Sequence, residues 1–184
     1  MSRVGIYGGT FDPIHLGHLH VISQLFEKDL IDQLLLIPAG QPLLREVAPI
    51  ATAQQRRAMC QLALADLPVE IRTKVQVNPI EVLRTGPSYA IDTVEAVAQT
   101  YPNDSIIVII GQDAAEKLDQ WHRIDELRKM VQFLVIGRPG YSGDGIDIGA
   151  LDVAATTIRQ GLSADVSSSV ATFIRENNLY DNLQ

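Results

Sequence analysis

The run Ile106-Ile107-Val108-Ile109-Ile110 is apolar at every position. Side chains alternate between the two faces of a strand, so a strand that reads this way is buried on both. Such strands belong to parallel sheets covered by helices above and below. The rest of the chain agrees, because short apolar runs alternate with longer amphipathic stretches. Strands are expected at Val4–Tyr7, Gln33–Pro38, Lys74–Pro79, Ser105–Gly111 and Gln132–Gly137, and helices near His18–Lys28, Ala53–Asp66, Tyr89–Thr100, Arg123–Met130 and Val166–Asn177. This pattern predicts an α/β fold with a doubly wound, mainly parallel sheet. The 184 residues suit one domain over 1–184, with a small C-terminal helical portion from about 160. Ligands of such sheets bind beyond the carboxyl ends of the strands. Chemistry is therefore expected just after Tyr7, Pro38, Gly111 and Gly137.

Charge and hydropathy narrow the class of function. The formal net charge is −7, which argues against a general nucleic-acid or anionic-membrane binder. Any phosphate must then be held by local geometry rather than by the overall field. No apolar run approaches the roughly 20 residues of a membrane span. The opening Met1-Ser2-Arg3-Val4-Gly5-Ile6 runs directly into an expected core strand, which leaves no room for a signal peptide. The single cysteine, Cys60, lies in a helical pattern and reads as a packed thiol. A cytoplasmic protein is the expectation. The stretch Pro139–Gly145 holds three glycines and little apolar content, and is expected to be a mobile surface loop.

The richest segment follows the first strand: Gly8-Gly9-Thr10-Phe11-Asp12-Pro13-Ile14-His15-Leu16-Gly17-His18. Paired glycines allow a tight turn and close approach of a ligand to the backbone. Free N–H groups at the following helix start offer a site for phosphate oxygens. His15 and His18, three residues apart in the first helical turn, share a face, and Gly17 between them leaves room for a bulky ligand. Two imidazoles beside an anion site suit a phosphate whose charge shifts during reaction. A zinc site would want His-Glu-x-x-His spacing or a cysteine pair, and a dinucleotide fingerprint would want Gly-x-Gly-x-x-Gly; neither is present. Turn glycines with surface histidines remain the bland alternative.

Three later residues allow two readings each. Asp113 follows the most apolar strand, where it is either an acceptor for ribose hydroxyls or a helix N-cap. Trp121, the only tryptophan, either stacks on a flat ligand or simply packs. Arg159 presents a planar, permanently charged fork suited to phosphate, or else a solvated helix charge. His20 and His122 carry no comparable argument and read as surface or structural residues.

The segment Gly8–His18 resembles the signature of the nucleotidyltransferase superfamily with an HxGH motif, in the form most similar to the nicotinate-nucleotide adenylyltransferases. Arg84-x-Gly86-Pro87-Ser88-Tyr89 is similar to that family's substrate segment. Ile110-Gly111-Gln112-Asp113 with Leu118 and Trp121 resembles its Gly-x-Asp and tryptophan block. Arg56 three residues before Met59, Arg138-Pro139-Gly140, Thr156-Thr157-Ile158-Arg159 and the late Leu179-Tyr180 extend the likeness from about Val4 to Tyr180. The chain departs from the pattern at three positions. Leu44 stands in place of a histidine, Ala90 in place of a threonine and Ala154 in place of a serine.

The resemblance implies a Rossmann-like nucleotidyltransferase fold and attack by a pyridine mononucleotide phosphate on the α-phosphorus of ATP. It implies Mg²⁺ with ATP as co-substrate, and few protein ligands to the metal. His15, His18 and Arg159 would be the catalytic residues. Gly8, Gly9, Thr10, Phe11, Gly17, Gly111, Asp113, Thr156 and Thr157 would bind ATP. Arg45, Ser88, Tyr89, Trp121 and Arg138 would bind the nicotinate mononucleotide. The departures also suit two other roles. One is a catalytically silent nucleotide-binding relative. The other is an adenylyltransferase for another phosphorylated acceptor, such as nicotinamide mononucleotide or phosphopantetheine. Neither nucleic acid nor a membrane is expected as a partner, whereas a homo-oligomer is compatible with the sequence.

Overall fold

In a computed structural model of the chain, the described residues are 1–43, 47–137 and 143–180. In chain order, β1 (Arg3–Gly9) leads to α1 (Leu16–Glu27), β2 (Gln33–Pro38), α2 (Ala53–Ala65) and the short α3 (Val69–Arg72). Next come β3 (Val75–Val77), α4 (Ile80–Leu83), α5 (Ala90–Thr100), β4 (Ser105–Gly111), α6 (Gln112–Ala115) and a 3-10 turn at Leu118–Gln120. The chain then forms α7 (Ile124–Met130), β5 (Gln132–Ile136), α8 (Ala155–Arg159) and α9 (Ser168–Glu176). The five strands form one sheet in the order β3-β2-β1-β4-β5, and every pairing is parallel.

The chain winds outward from β1 to β3, then crosses back to place β4 on the other side of β1. Successive residues of each strand therefore serve opposite layers. Leu34 and Leu36 of β2, with Ile107 and Ile109 of β4, face the core beneath α1, α2 and α9. Val4, Ile6, Leu35, Ile37, Ile106, Val108 and Ile110 face the core beneath α5 and α7. All five residues of the apolar run in β4 are buried, as the sequence predicts, and burying each contributes roughly 1.5–3 kcal/mol. Gly5 lies where the sheet is most crowded. A Cβ there would stand 2.9 Å from both Ile109 Cδ1 and Leu34 Cδ1, and 3.1 Å from Ile31 Cδ1.

The expected elements are present, with shifted ends. β1 runs on through Gly8 and Gly9, which pair with Ile37 and Pro38; the paired glycines are strand residues rather than a turn. Helix α1 starts at Leu16, so His15 is its N-cap rather than a member of its first turn. β3 is shorter than the expected Lys74–Pro79. Pro79 has no N–H for a ladder, and the Asn78 side chain instead accepts a hydrogen bond from the Ile80 amide at 3.0 Å. The glycine-rich stretch is only partly within the described residues. From its far end, Ile146 forms a parallel bridge with Ile136, donating to Val135 O at 2.8 Å and accepting from Gly137 N at 3.0 Å. Among the described residues no helix is long and apolar enough to cross a membrane.

Gly5→Ala is expected to destabilise the fold by about 1–3 kcal/mol, because three branched side chains from β2, β4 and the α1–β2 turn must all give way. Chemical denaturation of wild type and variant measures this; an unchanged midpoint would show that the layer is loosely packed at β1.

Candidate active site

The order of the strands creates a crevice at the carboxyl ends of β1 and β4, where the direction of winding reverses. A cleft of about 200 Å³ lies there, and its lining includes Gly8, Gly9, Phe11, His15, Gly17, His18, Gly111 and Asp113. Eight residues singled out in the sequence are thus gathered from two chain regions about 100 positions apart. Those eight share one surface, whereas Thr10, Thr156, Thr157 and Arg159 are not part of its lining.

The two imidazoles are locked to each other. Their rings stack with centroids 3.7 Å apart and planes 25° apart. The His15 amide donates to His18 Nδ1 at 3.1 Å. A ring nitrogen that accepts carries no proton, so neutral His18 holds its proton on Nε2. The Phe11 ring meets His18 edge-on at 5.0 Å and Tyr7 at 5.8 Å, which fences the imidazole on its second side. The glycines of the motif make room for these rings. A Cβ on Gly9 would lie 2.8 Å from the Phe11 ring, and one on Gly17 would lie 3.1 Å from the His15 ring. This packing role comes in addition to the ligand access expected from the sequence, since both glycines also line the cleft.

Behind the cleft lies a buried polar layer that the motif alone does not reveal. Asp12 is 1% exposed. Its carboxylate accepts from the amides of Ile50 at 3.0 Å and Ala51 at 3.1 Å, and from the Tyr180 hydroxyl at 2.9 Å. Arg56 is equally buried, and donates from Nη1 to Thr10 O at 2.6 Å, from Nε to Ala51 O at 3.3 Å and from Nη2 to Gly40 O at 3.3 Å. Thr10 therefore enters the site through its carbonyl. Arg56 stands on the face of α2 that also buries Met59, Cys60 and Ala63, and a lone cation on an apolar helical stripe is the signal that could have found it. The sequence treats Asp12 only as part of the motif.

Arg159 closes this layer. Its Nη1 donates to the Asp12 carbonyl at 2.7 Å and its Nη2 to Thr156 Oγ1 at 3.1 Å. Arg159 is thus tied to the loop after β1 and is not a solvated helix charge. Thr157 Oγ1 donates to Ala154 O at 2.7 Å, so one threonine serves the start of α8 and the other the arginine. Ala154 itself is the N-cap of α8 and offers no side-chain cap. Asp113 is the second residue of α6, whose N-cap is Gly111; the N-cap reading of Asp113 is corrected.

The predicted acceptor residues stand apart from this lining. Ser88 Oγ accepts from the amides of Gly40 at 3.0 Å and Gln41 at 3.1 Å, clamping the end of β2 to the start of α5. Tyr89 is the N-cap of α5, immediately before Ala90, and its ring stacks on His122 at 4.3 Å. Trp121 packs edge-on against Phe133 at 6.2 Å, and its Nε1 is buried without a hydrogen-bond partner among the described residues. His122 therefore has a specific contact that the sequence did not suggest, while His20 binds Ile148 O at 2.8 Å. Leu44, Arg45 and Arg138 lie outside the described residues.

Beneath the Ser88 clamp is a carboxylate with no sequence signal. Glu81 is 9% exposed and accepts from Thr93 Oγ1 at 2.7 Å. Burial pushes its carboxyl above the ordinary range, against the pull of hydrogen bonds from Thr93 and Ser88. Burial also raises the Cys60 thiol, which fits a packed, unreactive side chain. Among the described residues no group of three or more His, Cys, Asp or Glu side chains is placed to hold a metal ion.

A family model described as cytidylyltransferase-like matches residues 6–175. A protein of Oceanobacillus iheyensis named probable nicotinate-nucleotide adenylyltransferase is 35% identical, with 98% of this chain and 97% of that protein aligned. The nicotinate-nucleotide adenylyltransferase of Bacillus subtilis is 31% identical, with 98% and 100% aligned. Among solved structures, the nicotinic acid mononucleotide adenylyltransferase of Plasmodium falciparum complexed with NaAD superposes with a TM-score of 0.85 over the whole of both chains, at 19% identity. That last likeness is one of fold.

Raising the Glu81 carboxyl means that the fold favours its protonated form. Its contribution to stability is therefore full below the unfolded value near 4.5 and shrinks as pH rises through the folded one. The melting temperature of Glu81→Gln, relative to wild type, is expected to climb as pH rises above the ordinary carboxyl value near 4.5. A difference that stays constant with pH would mean that the carboxyl keeps one protonation state throughout.

Proposed function

The chain belongs to the nicotinate-nucleotide adenylyltransferases of the cytidylyltransferase-like family, and from that premise we infer that it transfers the adenylyl group of ATP to nicotinate mononucleotide. A phosphate oxygen of the mononucleotide attacks the α-phosphorus of ATP. The bond from that phosphorus to the bridging oxygen of the β-phosphate breaks, and the products are deamido-NAD and pyrophosphate. The attacking oxygen is already ionised at neutral pH, so no general base is needed. Catalysis then rests on alignment and on stabilising charge as it moves to the leaving pyrophosphate.

The observation that carries this reading is the stacked His15–His18 pair at the carboxyl ends of β1 and β4. His18 donates from Nε2 to a phosphate oxygen, in the tautomer that the His15 amide selects. His15 lies against it, and Gly8, Gly9 and Gly17 let the triphosphate approach the backbone. Asp113 accepts from the ribose hydroxyls beside Gly111. Arg159, held by Asp12 and Thr156, meets the developing pyrophosphate, with Thr156 and Thr157 alongside. Ser88, Tyr89 and Trp121 build the pyridine side, and Arg45 and Arg138 supply charge for the phosphates.

Among the described residues, Asp113 is the one acidic side chain in the cleft lining. A divalent cation arriving with ATP would find few protein ligands beside Asp113, as suits Mg²⁺. When bound, it would neutralise charge on the phosphates.

Pyrophosphate release with ATP and Mg²⁺ tests the reading, offering nicotinate mononucleotide, nicotinamide mononucleotide and phosphopantetheine separately and weighing the product. Deamido-NAD as the main product is expected; preference for another acceptor would overturn the substrate. His18→Ala should lower kcat at least about 100-fold, and a folded variant with wild-type turnover would remove His18 from the mechanism. Trp121→Ala should weaken nicotinate mononucleotide more than ATP. Equal loss for both ligands would make Trp121 a core residue only.

A further inference from the structure

We propose that Tyr180 is a positioning residue of the active site, acting through Asp12 to hold Arg159 where the pyrophosphate leaves. The inference rests on the reading of Arg159 given above. The contact spans 168 positions of sequence, from the far end of the described chain to the loop that carries the histidines. Asp12 joins them in two ways at once. Its side chain accepts from the Tyr180 hydroxyl, and its backbone carbonyl accepts from Arg159 Nη1 at 2.7 Å.

A buried carboxylate needs donors on both oxygens. Ile50 N supplies Oδ2, while Ala51 N and the Tyr180 hydroxyl share Oδ1. The two amides belong to the approach to α2 and cannot leave without unravelling its start. The phenol is the adjustable third donor. Burial and the nearby Asp12 charge push the Tyr180 hydroxyl well above its ordinary range, so it remains a donor throughout the working pH range. Without it Oδ1 keeps only the Ala51 amide, so Asp12, and with it the carbonyl that meets Arg159, is held less tightly. The carbonyl that fixes Arg159 belongs to that residue, so the guanidinium loses its aim while the histidines keep theirs.

Tyr180→Phe isolates this effect, because the ring that packs against the core remains and the adjacent Leu179 is itself buried. Steady-state kinetics of wild type, Tyr180→Phe, Arg159→Ala and the double variant provide the test, together with melting temperatures. Tyr180→Phe should lower kcat roughly 10-fold, since small misplacements of a charged group are costly. KM for nicotinate mononucleotide should change by less than about twofold, because no acceptor contact is altered. In the Arg159→Ala background the same substitution should change kcat by less than about twofold, since its target is gone. Wild-type turnover in Tyr180→Phe, or an equal loss in both backgrounds, would overturn the proposal. Calorimetric titration with pyrophosphate gives the same comparison without turnover. Tyr180→Phe should weaken pyrophosphate in the native background and leave it unchanged beside Arg159→Ala. A wild-type protein that makes no deamido-NAD would refute the proposed reaction, while the pyrophosphate titration would still decide the role of Tyr180.

Discussion

Parallel pairing on both sides of β1 is the constraint from which the rest follows. A parallel neighbour can be reached only by a crossover, so each added strand brings a helix onto one face of the sheet. The chain first winds from β1 toward β3 and then returns to the opposite side of β1. Its helices consequently cover both faces, and the alternation of side chains along β2 and β4 divides the interior into two layers. The same reversal leaves a gap at the carboxyl ends of β1 and β4. Nothing in the main-chain ladder fills that gap, so the loop after β1 can turn into it and carry its histidines there.

Filling such a gap with phosphate chemistry requires polar groups in a largely apolar interior, and Asp12 and Arg56 show how the cost is met. Each is 1% exposed, and each is satisfied mainly by backbone. Asp12 takes amides from the approach to α2, while Arg56 gives to the carbonyls of Thr10, Ala51 and Gly40. Charge-assisted hydrogen bonds of this sort offset desolvation. They also tie the loop after β1 to the end of β2 and to α2. The overall charge of −7 is compatible with binding phosphates because the donors are concentrated in this one place.

Much of the fold was legible in the chain because its signals are local. A five-residue apolar run reports burial on both faces, and alternating strand and helix patterns report a doubly wound sheet. The histidines were legible as a pair from their spacing, but not their geometry, because His15 caps α1 with extended backbone instead of sharing a helical turn with His18. Element ends were less so: whether Gly8 and Gly9 continue a strand depends on Ile37 and Pro38 across the ladder. The packing role of the glycines was hidden for the same cause, since the rings of Phe11 and His15 come to rest on Gly9 and Gly17 only in the folded loop. Ser88 shows the limit clearly, because the amides of Gly40 and Gln41 from which its hydroxyl accepts lie 48 and 47 positions away.

The pattern of residues alone was enough for the parallel α/β architecture, a site beyond the carboxyl ends of its strands, and a pair of neighbouring imidazoles. These depend on periodicity and spacing, which are written in consecutive residues. Tertiary structure decided the partners: Asp12 with Tyr180, Arg159 with the Asp12 carbonyl, Glu81 with Thr93, and Tyr89 with His122. A buried polar group must find its complement wherever the folded chain brings one within hydrogen-bond reach. For Asp12 that complement lay 168 residues away, a distance over which no local pattern carries information.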